Sequence, residues 1–312
     1  MASFATAGKV FPRAPSRLNR RERRRLFVGL AFISPWIVGF LVFTLWPIVV
    51  SLYYSFTQFS LFTPPTWVGL ANYHELFFVD DKFYITLYNT LYFALLAIPA
   101  SIAGAFVMAL ALNVRLPEVA FYRGIYFMPT IVPVVASAVV WSWILNPQWG
   151  LLNAFLRLLG INGPPWIGSP VWSKPSLVIM AVWGVGSEMV IYLAALQEIP
   201  VSYYEAAALD GASWWHKTFR ITLPLITPVV FFHLVTSLIW AFQYFTEAYV
   251  MTGGGPANST LFYALYLYRN AFVYLKMGYA SAMAWILFIV VISATIVIQR
   301  TSSRWVYYEG ER

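Results

Sequence analysis

Six stretches of twenty or more residues carry few charges, and this feature decides what the chain can fold into. They lie at about 26–54, 87–113, 121–145, 177–199, 225–251 and 279–300. The hydrocarbon of a bilayer is about 30 Å thick and takes roughly 20 helical residues to cross. It offers no water to backbone N–H and C=O groups, so runs of this kind cross it as helices. Only 10% of residues are charged, against about 25% in soluble domains. The expected fold class is an all-α integral membrane protein with six transmembrane helices. Pro35, Pro47, Pro99, Pro129 and Pro133 fall inside the runs, where neighbouring helices can satisfy freed carbonyls. The first run is too long for a signal-peptide core and has no small-residue cleavage site near its end.

The net charge of +8 does not mark a nucleic-acid binder, because its source is a tail rather than a folded face. Lys9, Arg13, Arg17, Arg20, Arg21, Arg23, Arg24 and Arg25 lie in residues 1–25. This basic N-terminal tail reads as a disordered arm held in the cytoplasm beside anionic lipid. With the N-terminus inside, Arg115, Arg123, Lys217, Arg220, Arg300, Arg304 and Arg312 also fall inside. Only Lys82, Arg157, Lys174, Arg269 and Lys276 fall outside, as a positive-inside topology requires. Both termini are therefore expected in the cytoplasm, with a membrane domain at 26–300 and a C-terminal tail at 301–312. Cysteine is absent, which excludes disulfides and thiolate metal sites. His74, His216 and His233 lie in three separate regions, with no H-x-x-H, G-x-S-x-G or nucleotide-binding lysine loop around them. No catalytic or metal-binding residue is assigned.

The longest polar passage of the second half is EAAALDGASWWHKTFRITLP, residues 205–224. It lies between two apolar runs and carries His216, Lys217 and Arg220, so it belongs on the cytoplasmic side. It predicts two short helices, 205–209 and 213–219, with Asp210-Gly211 as stop and turn and Ser213 as N-cap. Pro224 then opens the next span, where its missing N–H costs little. On the other side, Asn146 to Ser176 predicts a short amphipathic helix on the membrane surface, and Gly253-Gly254-Gly255-Pro256 reads as a sharp, mobile exit from the fifth span. The triple glycine is no phosphate loop, since no Lys-Ser/Thr follows it. Asn258-Ser259-Thr260 is taken as a chance match to a glycosylation acceptor.

Glu205-Ala206-Ala207, Gly211 after three more residues, Ile221 after nine more, and then Leu223-Pro224 agree with the EAA signature of ABC importer permeases at every fixed position. An ordinary amphipathic loop would need neither the paired alanines nor a glycine at that spacing. The chain resembles this family over nearly its whole length, and within it the sugar-type subfamily related to maltose and glycerol-phosphate permeases. Trp46-Pro47, residues 51–56 (SLYYSF), residues 68–73 (VGLANY), Phe121-Tyr122-Arg123, Asn146-Pro147, residues 192–197 (YLAALQ) and residues 250–256 (VMTGGGP) carry that likeness. It implies a type I ABC importer permease fold, N-in/C-in, in a bacterial or archaeal plasma (inner) membrane. It also implies that loop 200–224 is a coupling element seated in a groove of an ATP-hydrolysing subunit. Glu205, Ala206, Ala207, Asp210, Gly211, Ile221, Leu223 and Pro224 would carry that contact. The small alanines permit close approach, and Glu205 offers a charge to a basic or helix-N-terminal partner. The implied partners are a second, paralogous permease, two ATP-binding cassette subunits, an extracellular or periplasmic sugar-binding protein and membrane lipid. ATP and Mg would be bound by the partner ATPase and no cofactor by this chain. The cargo is open between a sugar, a polyol and a phosphorylated polyol. Glu188 departs from the subfamily pattern, which has an uncharged amide or small residue there.

Candidate pathway residues come from periodicity. His233, Thr236, Trp240, Gln243 and Glu247 recur at steps of three and four and share one face of a continuous helix. Gly184, Glu188 and Tyr192 do the same in span four. Ionisable groups within a span face a bundle interior or a water-filled path, so Glu188, Tyr192, Trp240, Gln243 and Glu247 are assigned to the pathway. Aromatic rings would stack on sugar C–H faces while Gln243 and Glu188 bond hydroxyls. His233 is open between this role and a structural bond to a neighbouring backbone carbonyl. A proton-coupled secondary carrier using Glu188, His233 and Glu247 as a relay is the alternative, which the lack of a visible inverted repeat opposes.

Overall fold

A computed structural model of the chain describes residues 19–114 and 116–307. Arg115, Arg312 and the tail residues Lys9, Arg13 and Arg17 lie outside the described residues. Three unbroken helices are long and apolar enough to cross a membrane: Arg20–Ser55, Asp81–Leu112 and Met277–Ser302. Three more spans are bent pairs: Val119–Ile131 with Val134–Ile144 (100°), Ser173–Trp183 with Gly186–Glu198 (48°), and Trp214–Leu225 with Thr227–Phe242 (64°). With each pair counted once, they make six spans in the order of the six apolar runs. The periodicity could place the runs but not the breaks.

The described residues divide into two units between Tyr53 and Tyr54. In the first unit, Asn19 accepts the Arg20 N–H at 2.9 Å and donates its own N–H to Glu22 at 2.8 Å. This capping box starts the helix at Arg20, so Arg20 to Arg25, expected in a disordered tail, are its first turns. Further on the helix widens to i→i+5 bonding over Leu41–Leu45, just before Pro47. Widening absorbs a ring that clashes with the preceding turn and an N–H that is missing.

The second unit opens with a short antiparallel hairpin, Thr57–Ser60 against Thr63–Trp67, which an all-α expectation did not include. Asn72 pins it by donating to Ser55 O at 2.8 Å and Thr57 O at 2.9 Å. Span two is the mast of this unit. It starts at Asp81, six residues before the expected run, because the preceding Asp80 caps it through the Lys82 N–H at 3.0 Å. The other oxygen of Asp80 accepts from the Tyr266 and Tyr279 hydroxyls at 2.7 and 2.5 Å. Burial first, and then Asp80, holds the Tyr266 phenol above its ordinary pKa, so it stays a donor.

One face of span two carries small residues along its length, among them Ala94, Ala97, Ala105 and Ala109, all buried. A Cβ on Gly104 would stand 3.3 Å from Val182 of span four. In lipid, helices gain little by hiding apolar surface from one another, and close approach with good packing holds them instead. The aromatic core packs around the first half of span two, with Phe93 stacked on Tyr244 at 4.2 Å. A second core, containing Met189, Tyr192, Leu196 and Ile226, packs around its last turns. Arg123 donates to Leu112 O at 2.9 Å and closes that end.

The amphipathic helix of the third connection is Leu151–Leu158. It is anchored by buried Asn153, which accepts the Trp166 indole N–H at 2.7 Å and donates to Pro147 O and Pro164 O. The glycine-rich exit after span five is not free, as its sequence suggests, but laced to spans two and four. The Ser173 and Ser259 hydroxyls lie 2.8 Å apart, and Asn89 donates to Asn258 O and Leu261 O. Lys174, expected in an external loop, is buried; it donates to Asn89 at 3.0 Å and lies 5.0 Å from the centroid of the Tyr92 ring.

Candidate functional site

Three broken spans line one cavity of about 420 Å³, spans three and four at their breaks. The kink of span three contributes Pro129, Thr130, Val132 and Ser137, and the kink of span four contributes Gly184, Val185, Ser187 and Glu188. Span five adds His233, Thr236, Ser237 and Trp240, and Glu247 closes the lining. Irregular backbone is tolerated at membrane depth only when protein covers it or when it lines a wet cavity. The kinks and the polar lining therefore account for each other.

Gly186 makes the arrangement possible, since a Cβ there would meet Tyr126 O at 2.3 Å. Spans three and four touch backbone to backbone at this point, which holds the two kinks side by side.

The assigned pathway residues separate into three groups. Glu188, Trp240 and Glu247 line the main cavity together with His233 and Thr236. Tyr192 is fully buried, with its hydroxyl 3.2 Å from His233 Nδ1, and it borders a smaller space of about 150 Å³ beside Glu188. Its contact with His233 replaces the backbone-carbonyl bond considered for that histidine. Gln243 lies outside the lining. The five-residue stripe presumed one continuous helix, but the helix ends at Phe242, Gln243 caps it, and a new helix, Thr246–Met251, carries Glu247. Glu247 reaches the cavity from that second helix, not by helical periodicity.

At the EAA stretch the first helix is Val201–Leu209, beginning four residues earlier than expected, directly after Pro200. Gly211 follows with φ +74°, and the N–H groups of Gly211 and Ala212 bond to Ala208 O and Ala207 O at 3.1 and 2.9 Å. This is a Schellman stop built on a left-handed glycine. Ser213 caps the next piece through the His216 N–H. That piece does not end at Phe219. It runs on through a wide turn, Thr218–Thr222, into a short helical turn, Leu223–Leu225, with Pro224 near its start, and after the break at Ile226 the long arm of span five runs from Thr227. Thr222, between the motif residues Ile221 and Leu223, accepts or donates a bond with the Tyr204 hydroxyl at 2.9 Å, which ties the two arms of the loop. Neither residue stood out in the sequence, although both are direct neighbours of motif positions. No residue of Val201–Leu209 is buried and Leu209 is 91% exposed, so all of this helix except the half-buried Tyr204 and Ala207 is open at the surface.

Residues 26–306 match the family described as the binding-protein-dependent transport system inner membrane component. The chain belongs to that family. It is 42% identical over 297 residues to the probable ABC transporter permease protein YesP of Bacillus subtilis, covering 94% of this chain and 96% of the relative. It is 34% identical over 286 residues to the trehalose/maltose transport system permease protein MalF of Thermococcus litoralis, covering 90% and 95%. Among solved structures it matches a chain of a bacterial alginate ABC transporter in complex with alginate pentasaccharide-bound periplasmic protein. There the TM-score is 0.80 at 24% identity, covering 91% of this chain and 96% of that one. At that identity the likeness establishes the fold. The family is one of non-catalytic permease subunits in multi-pass membrane assemblies, which favours the ABC permease reading over the proton-coupled carrier.

Proposed function

We propose that this permease forms half of the translocation path of an ATP-driven carbohydrate importer, with the kink-lined cavity as its share of the path and loop 200–224 as its grip on the motor. The observation that carries the reading is the convergence of three broken spans on one polar cavity, two of them the spans that flank the loop. Glu188 and Glu247 accept hydrogen bonds from sugar hydroxyls there, and Trp240 offers a ring face to sugar C–H groups. The carbohydrate class is supported by the relatives, among them trehalose/maltose and lactose permeases. The exposed Glu205, Ala206, Asp210 and Gly211, with the half-buried Ala207, Ile221, Leu223 and Pro224, supply the coupling surface. A paralogous permease, two ATP-binding cassette subunits that bind ATP and Mg, and an external sugar-binding protein complete the assembly. Both termini lie in the cytoplasm and the membrane is the plasma or inner membrane.

The test starts from the associated binding protein, whose thermal shift across a panel of neutral, acidic and phosphorylated sugars identifies the cargo. Uptake of that compound by cells should survive a protonophore, stop when residues 205–211 are replaced, and fall in Glu188→Gln. Collapse under the protonophore with the loop intact would return the reading to a proton-driven carrier.

A further inference from the structure

The joint between the coupling loop and span five is bridged by the far end of the chain. Trp214–Leu225 and Thr227–Phe242 meet at 64° across Ile226, which is 1% exposed. The Thr227 hydroxyl donates to Pro224 O at 2.6 Å, across the break, and accepts the Tyr307 backbone N–H at 2.8 Å. Tyr307 lies beyond span six. That helix ends at Ser302, and the N–H groups of Trp305 and Val306 turn back onto Ser302 O at 3.0 and 2.8 Å. The turn brings Trp305 edge-on to Phe231, 6.1 Å between ring centroids, one helical turn beyond Thr227. Tyr307 also shares with Ala206, Ile221 and Pro224 the wall of a groove of about 400 Å³.

We propose that residues 303–307 are a strap that fastens the end of span six to the hinge of the coupling loop, with Thr227 as the fastening positioning residue. The proposal rests on the reading of loop 200–224 as the ATPase-coupling element. A 64° break in a helix is a compliant joint, because the regular ladder of backbone bonds is interrupted there. Pushed at one end, such a joint bends and dissipates the displacement. A second attachment across it makes the loop, the start of span five and the end of span six move as one body, as rigid-body switching requires.

The chain has no cysteine, so a pair introduced at Ser202 and Ser303 can be spin-labelled cleanly in the transporter assembled with its companion permease and ATPase subunits. The expected result is one narrow label-to-label distance that is the same in the nucleotide-free and vanadate-trapped states. Thr227→Val, and independently a chain ended after Trp305, should broaden that distance and make it depend on the nucleotide state. Thr227→Ser should restore the narrow distance. Each variant should retain its ATPase subunits, because residues 205–211 are unchanged in all of them. An unchanged narrow distance in both Thr227→Val and the shortened chain overturns the strap. Failure of the wild-type permease to retain ATPase subunits overturns the coupling reading instead, since the strap is still scored by the width of the same distance in the permease pair alone.

Discussion

Gly186 shows how much a single residue can fix. A Cβ there would lie 2.3 Å from Tyr126 O and 3.0 Å from Phe127 Cα, and backbone atoms cannot swing aside as a side chain does. Gly186→Ala should therefore push spans three and four apart at a cost of about 1–3 kcal/mol. This would be read as a lowered unfolding midpoint in detergent, with Gly124→Ala, which has open space around its Cβ position, as the neutral control. Equal midpoints for the two variants would refute the backbone contact. Asn153 is the polar counterpart, because its side chain serves the Trp166 indole and two proline carbonyls at once. Asn153→Leu leaves the buried indole N–H without its acceptor, so about 1–3 kcal/mol should be lost. The same unfolding assay reads it, and an unchanged midpoint would mean that water replaces the amide. Neither residue was legible in the sequence. A lone glycine or asparagine in an apolar chain has no period, and its meaning comes from a neighbour distant along the chain.

Elements were legible where composition alone defines them. The six apolar runs became six spans, and Asp210-Gly211 and Ser213 ended and started helices as their chemistry requires. The kinks were missed although two of them fall at prolines, Pro133 and Pro228, because a proline inside a span can be accommodated with or without a sharp bend, and the third, at Gly184-Val185, has no proline to mark it. The missed break at Gln243 shows the consequence: a 3-4-3-4 spacing is evidence of one face only while the helix continues. In loop 200–224 the element on which the proposed coupling turns is the left-handed Gly211 turn. Gly211→Val would force a β-branched side chain into φ +74°, which costs about 1–2 kcal/mol and should re-aim Val201–Leu209. The ATPase subunit retained on tagged permease should then fall well below wild type, while Gly211→Asn, which tolerates this conformation better, should keep most of it. Full retention by Gly211→Val would show that the turn does not set the docking geometry.

At the scale of the whole molecule, the cavity and loop 200–224 sit on the same rods. Span four ends in the loop and span five leaves it, and both line the cavity through Glu188 on one side and His233, Ser237 and Trp240 on the other. A displacement of the loop therefore has to change the walls of the cavity, and a packed interior changes by switching between arrangements rather than by stretching. Ser237 lines the cavity and is half-buried, so Ser237→Cys in this cysteine-free chain reports the opening directly. In the reconstituted transporter, a membrane-impermeant maleimide applied from one face should label that cysteine in the nucleotide-free state and fail to do so after vanadate trapping, or the reverse. The direction identifies which state opens to that face. A cysteine at Gly29, with open space around its Cβ position and far along the chain from the loop, should label alike in both states. If Ser237→Cys also labels alike in both, the cavity does not alternate and cannot be the path that the motor drives.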